Sequence, residues 1–494
     1  MTAKMVRTPN LTRLTLIEAS NAVRDGEVTS VSLTQAALDS FAAADPTLNA
    51  SIALDREDAL EQADALDKLR KAGRLLGSLH GVPLAHKDMY YRAGKLCTCG
   101  SKIRRAFRPT YTATAISRLE KAGSITIGSL NMAEFAQNPT GHNAHFGNCH
   151  NPWQADYCTG GSSSGSGAAV AARLIYGALG SDTGGSIRLP ATMCGVTGIK
   201  GTQTRVSRYG AMPLSFSADN VGPLARTARD CARLLREIAG HDPNDPTCSS
   251  EPVPDYEASL DGDIRGVVIG IPINFFLDGV DLEVRKAFDA AIKVLEARGA
   301  ETVKLELPHM EAVNTYASVI SRVEGAAIHS QWMRKQPQDY SVHLGGRLYA
   351  GYAIPAVQYL EALSRRGPIL RAFGKEVFSK CHVFATPTIR MKVPTLAATD
   401  IDAGAPGAVE AFGAISINTR AINYLGLPSV NVPCGFDSNG LPIGFQIQGR
   451  PFGEGKVLKV ADTYQRDSDW HTRVPSLSSA RTVERPAADR SKQV

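Results

Sequence analysis

The chain has 494 residues, 43% hydrophobic and 21% charged, a globular composition with room for one large core or two to three domains. A net charge of +6, from 54 basic and 48 acidic residues, with no dense Lys/Arg run, argues against a nucleic-acid binder. Nine scattered cysteines without a CxxC pair, no apolar leader and no apolar run of spanning length predict a reduced, soluble, cytoplasmic protein that does not engage membranes.

Thr15 with Glu18 makes a capping box for a helix over 15–25, with Gly26 as its stop. A second helix is expected over 32–44, with Leu33, Ala37, Leu38 and Phe41 on one face, and a charged third over 57–72. The apolar run 82–85 reads as a buried strand ending at Lys87. Helix 115–123 and strand 124–131 follow, an alternation that points to an α/β architecture. AAVAARLIYGAL (168–179) reads as one helix of small residues. The Pro-, Asp- and Ser-rich stretch 241–256 reads as a surface linker. Strand 265–272, helix 281–298 and a strand near 302–306 come next. Residues 309–380 read as a helical layer or lid, and CHVFATPT, LPSVNVPCGF and LPIGFQIQGRP as further strands. The polar tail 475–494 is expected to be disordered. Strand signals on both sides of the linker favour one large sheet built from both halves.

Two clusters, GGSSSGSG (160–167) and GSDTGGSIRLPA (180–191), concentrate glycine and hydroxyls. Apolar flanks and an intervening helix disfavour a flexible linker. A P-loop needs a lysine that is missing here, and Val170 stands where a dinucleotide fingerprint wants Gly or Ala. Gly161 to Gly165 satisfies GxSxG with Ser163 as nucleophile, but no good strand precedes it and no signal selects a partner histidine. In the second cluster, N–H groups of Thr183, Gly184, Gly185 and Ser186 can converge into an oxyanion hole beside a serine hydroxyl. That serine needs a base; histidine is the usual candidate, but a neutral lysine at the end of a buried strand also serves, and Lys87 fits. Taken alone, Lys87 is a solvated lysine, and Ser162 and Ser186 are turn residues. Asp182 reads as a turn cap and Arg188 as the partner of a carboxylate. His142, His145, Cys149 and His150 pose a metal reading, set against a role in bracing the pocket.

GVPLAHKD together with the two clusters resembles the amidase signature family. The likeness extends through NMAEFA, HFGNCHNPW, CGVTGIKGT, VGPLARTARD, ATPT and LGLPSVNVPCGFDSNGLPIGFQIQGRP, covering residues 10–465. The resemblance implies a single large mixed, mostly parallel twisted sheet covered by helices on both faces. Its parts would be an N-terminal helical segment (1–70), a signature core (71–240), the linker (241–256) and the remainder (257–474). It implies a Ser-cisSer-Lys triad: Ser186 as nucleophile, Ser162 as proton relay after a cis Gly161–Ser162 peptide, and Lys87 as base. It places the oxyanion hole on residues 183–186. Substrate contacts would fall on Ala136, Gln137 and Gly141, with Met132 beside them, and Met89, Tyr90, Phe135 and Met212 would form an apolar wall. Three departures stand out: Ser164 replaces a glycine, Gly167 a common alanine and His86 an aliphatic residue.

The implied function is hydrolysis of a C–N bond in a small carboxamide, anilide or carbamate, without metal or cofactor. The base role requires the lysine pKa to fall by roughly three units, which burial drives in the right direction. One alternative is a glutamine-dependent amidotransferase subunit working in a complex, to which NMAEFA has some likeness. Another is a binding protein with a degenerate site, against which the three intact triad positions argue. The oligomeric state is left open, a homodimer included.

Overall fold

The computed structural model describes residues 11–477. Eleven strands of the described residues form one sheet. In chain order they are β1 (Ser51–Leu54), β2 (Pro83–Lys87), β3 (Ile125–Leu130), β4 (Gly177–Ser181), β5 (Thr197–Lys200) and β6 (Val221–Ala225), then β7 (Val268–Pro272), β8 (Glu301–Leu305), β9 (Val383–Pro387), β10 (Ser429–Phe436) and β11 (Pro442–Gly449). Their order across the sheet is β1-β3-β2-β4-β6-β5-β10-β11-β9-β7-β8. Strands from before and after 241–256 therefore share one sheet, joined where β5 pairs with β10 (Ile199 opposite Val430).

The sheet is mixed, but it is not mostly parallel. Parallel pairing is confined to β2 with β3 and β4, and to β7 with β8 and β9. The other neighbours run antiparallel, β10 and β11 through a short turn at Asp437–Leu441 that only antiparallel strands can use. Helices cover both faces. Leu84 and Leu179 join a core with helices Leu16–Arg24 and Ala228–Ile238. Their strand neighbours Ala85 and Ala178 join another with helices Arg56–Lys71 and Ser164–Ala171. Alternate residues of β2 and β4 thus feed opposite layers.

The capping box of Thr15 and Glu18 is formed, and helix Leu16–Arg24 follows it. The second helix is longer than expected, Ser30–Leu48, with Pro46 in its last turn. The single helix over 168–179 is not formed. A helix starts inside the first cluster and ends at Ala171, Arg173 turns the chain at φ 61°, and Gly177–Ser181 becomes β4. Every residue of that stretch is buried, so hydrophobic periodicity had nothing to separate strand from helix. Stretch 241–256 lacks regular structure but is tethered. Asp242 accepts from the Thr114 and Ser207 hydroxyls at 2.5 Å each, and Asp245 accepts from Arg208 N–H at 2.8 Å. Residues 310–376 form helices Met310–Ile328, Ser330–Lys335, Val342–Tyr352 and Ala356–Glu376. Of the expected disordered tail, Leu477 packs against the core, and 478–494 lie outside the described residues. All nine cysteines are buried and unpaired, and no described helix is long and apolar enough to cross a membrane.

Candidate active site

β2 and β4 run parallel with His86 opposite Leu179, so their C-terminal ends bring Lys87 and Ser181 to the same edge. Edges of this kind are where open α/β sheets build sites. Lys87 is 1% exposed, and its Nζ lies 2.6 Å from Ser162 Oγ and 2.9 Å from Ser181 Oγ. Burial lowers its pKa to about 7, against the opposing pull of Asp219 and Asp182. The adjacent carboxylate does not face it. Asp88 accepts instead from the N–H of Thr98 at 3.0 Å and from its hydroxyl, and burial raises its pKa to about 6. His86 takes the N–H of Leu179 on Nδ1 at 3.1 Å, and burial lowers its pKa to about 3, so the ring is neutral beside the lysine.

The Gly161–Ser162 peptide is cis. Only glycine fits at 161, because a Cβ there would sit 2.3 Å from the carbonyl oxygen of Asn138. The two clusters are stitched by Ser163 N–H donating to the Ser186 carbonyl at 3.3 Å. The Ser163 hydroxyl donates to Ser181 O at 3.3 Å and accepts from Ser181 N–H at 3.2 Å, and the residue is fully buried. It therefore braces the loop, and the GxSxG reading is set aside. No hydrogen bond joins the hydroxyls of Ser162 and Ser186; the second lies on the wall of a cavity.

Asp182 shapes the loop that carries Ser186. Its carboxylate accepts from Gly185 N–H at 2.8 Å and Ile187 N–H at 3.2 Å. Arg188 donates to both carboxylate oxygens, at 3.0 and 3.1 Å, and also to Gln446, Asn423 and the carbonyl of Thr419. The N–H of Gly185 is thus committed to Asp182 and cannot serve an oxyanion, which corrects the four-donor expectation. Among the described residues, the N–H groups of Thr183, Gly184 and Ser186 have no acceptor within the chain. The Thr183 side chain is fixed by donating to Asp219 at 2.5 Å.

A cavity of about 380 Å³ opens in front of this loop. Thr183, Gly184, Ser186, Ala136 and Gln137 line it, as expected. The other expected substrate contacts do not. Met132 is fully buried in the core, and Phe135 packs in an aromatic cluster with His329, Trp332 and Tyr340. Gly141 is pressed against Thr159, where a Cβ would lie 2.1 Å from the hydroxyl. Met89, Tyr90 and Met212 belong to the core instead of the wall, and the Tyr90 hydroxyl donates to Gly180 O at 2.6 Å. The opposite wall comes from the helical layer and from helices Ala408–Ile415 and Ile417–Leu425. It brings in Arg322, His343, Arg347, Phe412 and Arg420, none of which carries a sequence motif. Ser181 is a further site residue that sequence reasoning missed, although it stands inside the second cluster.

The metal quartet does not converge. The His142 ring meets the Thr140 hydroxyl at 2.6 Å, His145 meets Glu134 at 2.8 Å and His150 meets the Ala155 carbonyl at 2.8 Å. Cys149 holds Gly141 O through its own N–H at 3.2 Å. These residues brace the loops behind the cavity.

The family model described as Amidase matches residues 32–458. A glutamyl-tRNA(Gln) amidotransferase chain from Roseiflexus sp. (strain RS-1) is 41% identical over 94% of this chain and 99% of that protein. The native peptide amidase from Stenotrophomonas maltophilia superimposes with a TM-score of 0.80 at 30% identity, over 94% of this chain and 99% of that one. A structure reported as an unexpected vestigial protein complex that reveals the evolutionary origins of an s-triazine catabolic enzyme gives a TM-score of 0.85 at 32% identity, over 92% and 98%. With the sheet, the cis peptide and a buried lysine between two serine clusters already in place, these matches identify the chain as a member of the amidase family, the amidase signature enzymes.

Proposed function

We propose that the chain is a serine amidohydrolase that cleaves the C–N bond of a small amide, anilide or carbamate through an acyl-enzyme on Ser186. The observation that carries this reading is the 2.6 Å approach of Lys87 Nζ to Ser162 Oγ inside a setting whose burial lowers the amine's pKa to about 7, so that the neutral form is well populated at pH 7. A neutral amine has one lone pair and two N–H groups. It accepts the Ser162 proton and donates to Ser181. Ser162 in turn takes the proton of Ser186 as the Ser186 oxygen attacks the amide carbon. The negative charge that develops on the carbonyl oxygen is met by the free N–H groups of Thr183, Gly184 and Ser186, each such donor contributing about 3 kcal/mol to a transition state. Collapse breaks the C–N bond, and the relayed proton goes to the departing nitrogen. Water then repeats the attack on the ester, and Ser186 leaves with its proton restored. The second link of the relay, from Ser186 to Ser162, forms as the site tightens on substrate binding.

The second reading, an amidotransferase subunit that takes ammonia from glutamine within a complex, is favoured by the 41% identity to a protein of that name. The isolated chain separates the two. Incubation with a fluorophosphonate probe should give one covalent adduct that Ser186→Ala abolishes, and the purified protein should hydrolyse simple amides while ignoring glutamine. Turnover of glutamine alone, only with partner proteins present, would select the amidotransferase. Absence of any adduct would revive the binding-protein reading.

A further inference from the structure

Three arginines, Arg322, Arg347 and Arg420, line the same cavity as Ser186. They come from three helices, Met310–Ile328, Val342–Tyr352 and Ile417–Leu425. The hydrogen bonds they make go to neutral acceptors. Arg347 donates to Gln137 Oε1 at 2.9 Å and Ser321 Oγ at 3.4 Å, and Arg420 donates to Asn314 Oδ1 at 2.5 Å and Ser416 Oγ at 3.5 Å. Among the described residues, no acidic side chain lines the cavity. Three nearby carboxylates are engaged elsewhere: Asp219 by Thr183, Leu214 and Ser215, Glu324 by Ser215, Ser217 and Tyr359, and Asp402 by the N–H of His343.

Arg420 also stands beside the candidate site: its Cβ lies 3.5 Å from where a side chain on Gly184 would begin, next to the loop with the free N–H groups. Arg347 and Arg420 each feel Arg322 as a repelling neighbour, in addition to the burial that lowers both to about 10. Gathering like charges around one small cavity costs free energy unless an anion offsets it, and a planar fork of N–H donors suits a carboxylate.

We infer that the substrate is an amide with a carboxylate and no ammonium group, its negative end held by Arg420 and Arg322 while its carbonyl lies at Ser186. The inference rests on the amide chemistry proposed for Ser186 and deepens it by naming the substrate's charge. A zwitterion such as glutamine satisfies only half of the requirement, because the described lining of the cavity has no acidic group to receive its ammonium.

Calorimetric titration of the Ser186→Ala protein tests the charge without any turnover. Succinamate should bind about tenfold or more tightly than its neutral methyl ester, and more tightly than glutamine. Adding Arg420→Gln or Arg322→Gln should reduce that preference severalfold. Equal affinity for acid and ester, tighter binding of glutamine, or no binding of succinamate at millimolar concentration overturns the inference. Wild-type protein gives a check that needs no substitution: succinate should slow fluorophosphonate labelling of Ser186, and neutral succinamide should not. Equal protection by both also overturns it. Preferential succinamate binding by a chain that turns over no amide would instead overturn the hydrolase reading and leave the charge preference standing.

Discussion

The carboxylate of Asp182 and the guanidinium of Arg188 meet at 3.0 and 3.1 Å with neither side chain reached by solvent. Burial pushes Asp182 up, but the charge and N–H groups of Arg188 outweigh it and hold the acid at about 2. The pair therefore keeps an ionised carboxylate gripping the backbone of Gly185 and Ile187. Arg188→Met removes one partner and leaves a buried charge, a change that costs about 3–5 kcal/mol. The midpoint of urea denaturation should fall accordingly. The sign of the pH dependence follows from the lowered pKa. The carboxylate's contribution is complete above its unfolded value of 3.8 and is lost as pH falls toward 2. Wild type should lose stability in that window, and the variant should show a shallower slope there. A midpoint unchanged in Arg188→Met would mean the pair does not hold the loop.

The residues of one part of the candidate site were legible in the sequence, and those of the other were not. Lys87 stands out because a lysine ending a run of apolar strand residues is costly unless used. Ser162 and Ser186 stand out because so much glycine beside so many hydroxyls costs backbone entropy that only a tightly built loop justifies. Asp182 and Arg188 each read as a turn or pairing residue, and the structure makes them partners of each other. Arg322, Arg347 and Arg420 had no such mark. Each sits in an ordinary amphipathic helix, and only tertiary packing turns the three toward one cavity. Phe135 and Met132 misled for the converse reason: apolar side chains near a site are as well suited to its foundations as to its wall. Strand direction was equally hidden, since pairing β10 with β5 joins residues more than two hundred positions apart.

Gly185 illustrates how little room the loop has. Its φ is +129°, a conformation that side chains rarely adopt, and a Cβ would fall 2.2 Å from the Thr419 hydroxyl. That hydroxyl is itself occupied, donating to Gly184 O at 2.6 Å. Gly185→Ala must therefore displace either the backbone of the loop or helix Ile417–Leu425. Strain of this kind costs about 1–3 kcal/mol before the clash is counted. Turnover should fall by at least about a hundredfold, the loss typical of one missing oxyanion donor. The effect should lie in kcat and not KM if the free N–H groups act on the transition state as proposed. Near-normal kcat in a folded Gly185→Ala protein would show that the loop is not the oxyanion site.

Lys87 should set both the pH profile and a cost in stability. Only the neutral amine accepts a proton from Ser162, so kcat/KM should rise about tenfold per pH unit below the pKa of about 7 and level off above it. The same lowered pKa means that between about 7 and the unfolded value of 10.5 the unfolded chain holds a proton that the folded chain lacks. Stability therefore rises with pH across that window, and the full cost of the buried amine is present below it. Lys87→Met removes the amine while keeping its volume. It should melt above wild type at pH 7, by an amount on the order of 2–4 kcal/mol, with the gap narrowing toward pH 10.5. Lys200, also buried and lowered to about 7, donates to the Gly201 carbonyl at 2.7 Å and titrates in both proteins, so the difference between the two melting profiles isolates Lys87. Activity should move the opposite way, falling by at least about a thousandfold at neutral pH, because Ser162 is left without a base. A variant that is both less stable and still active would remove the neutral lysine from the mechanism.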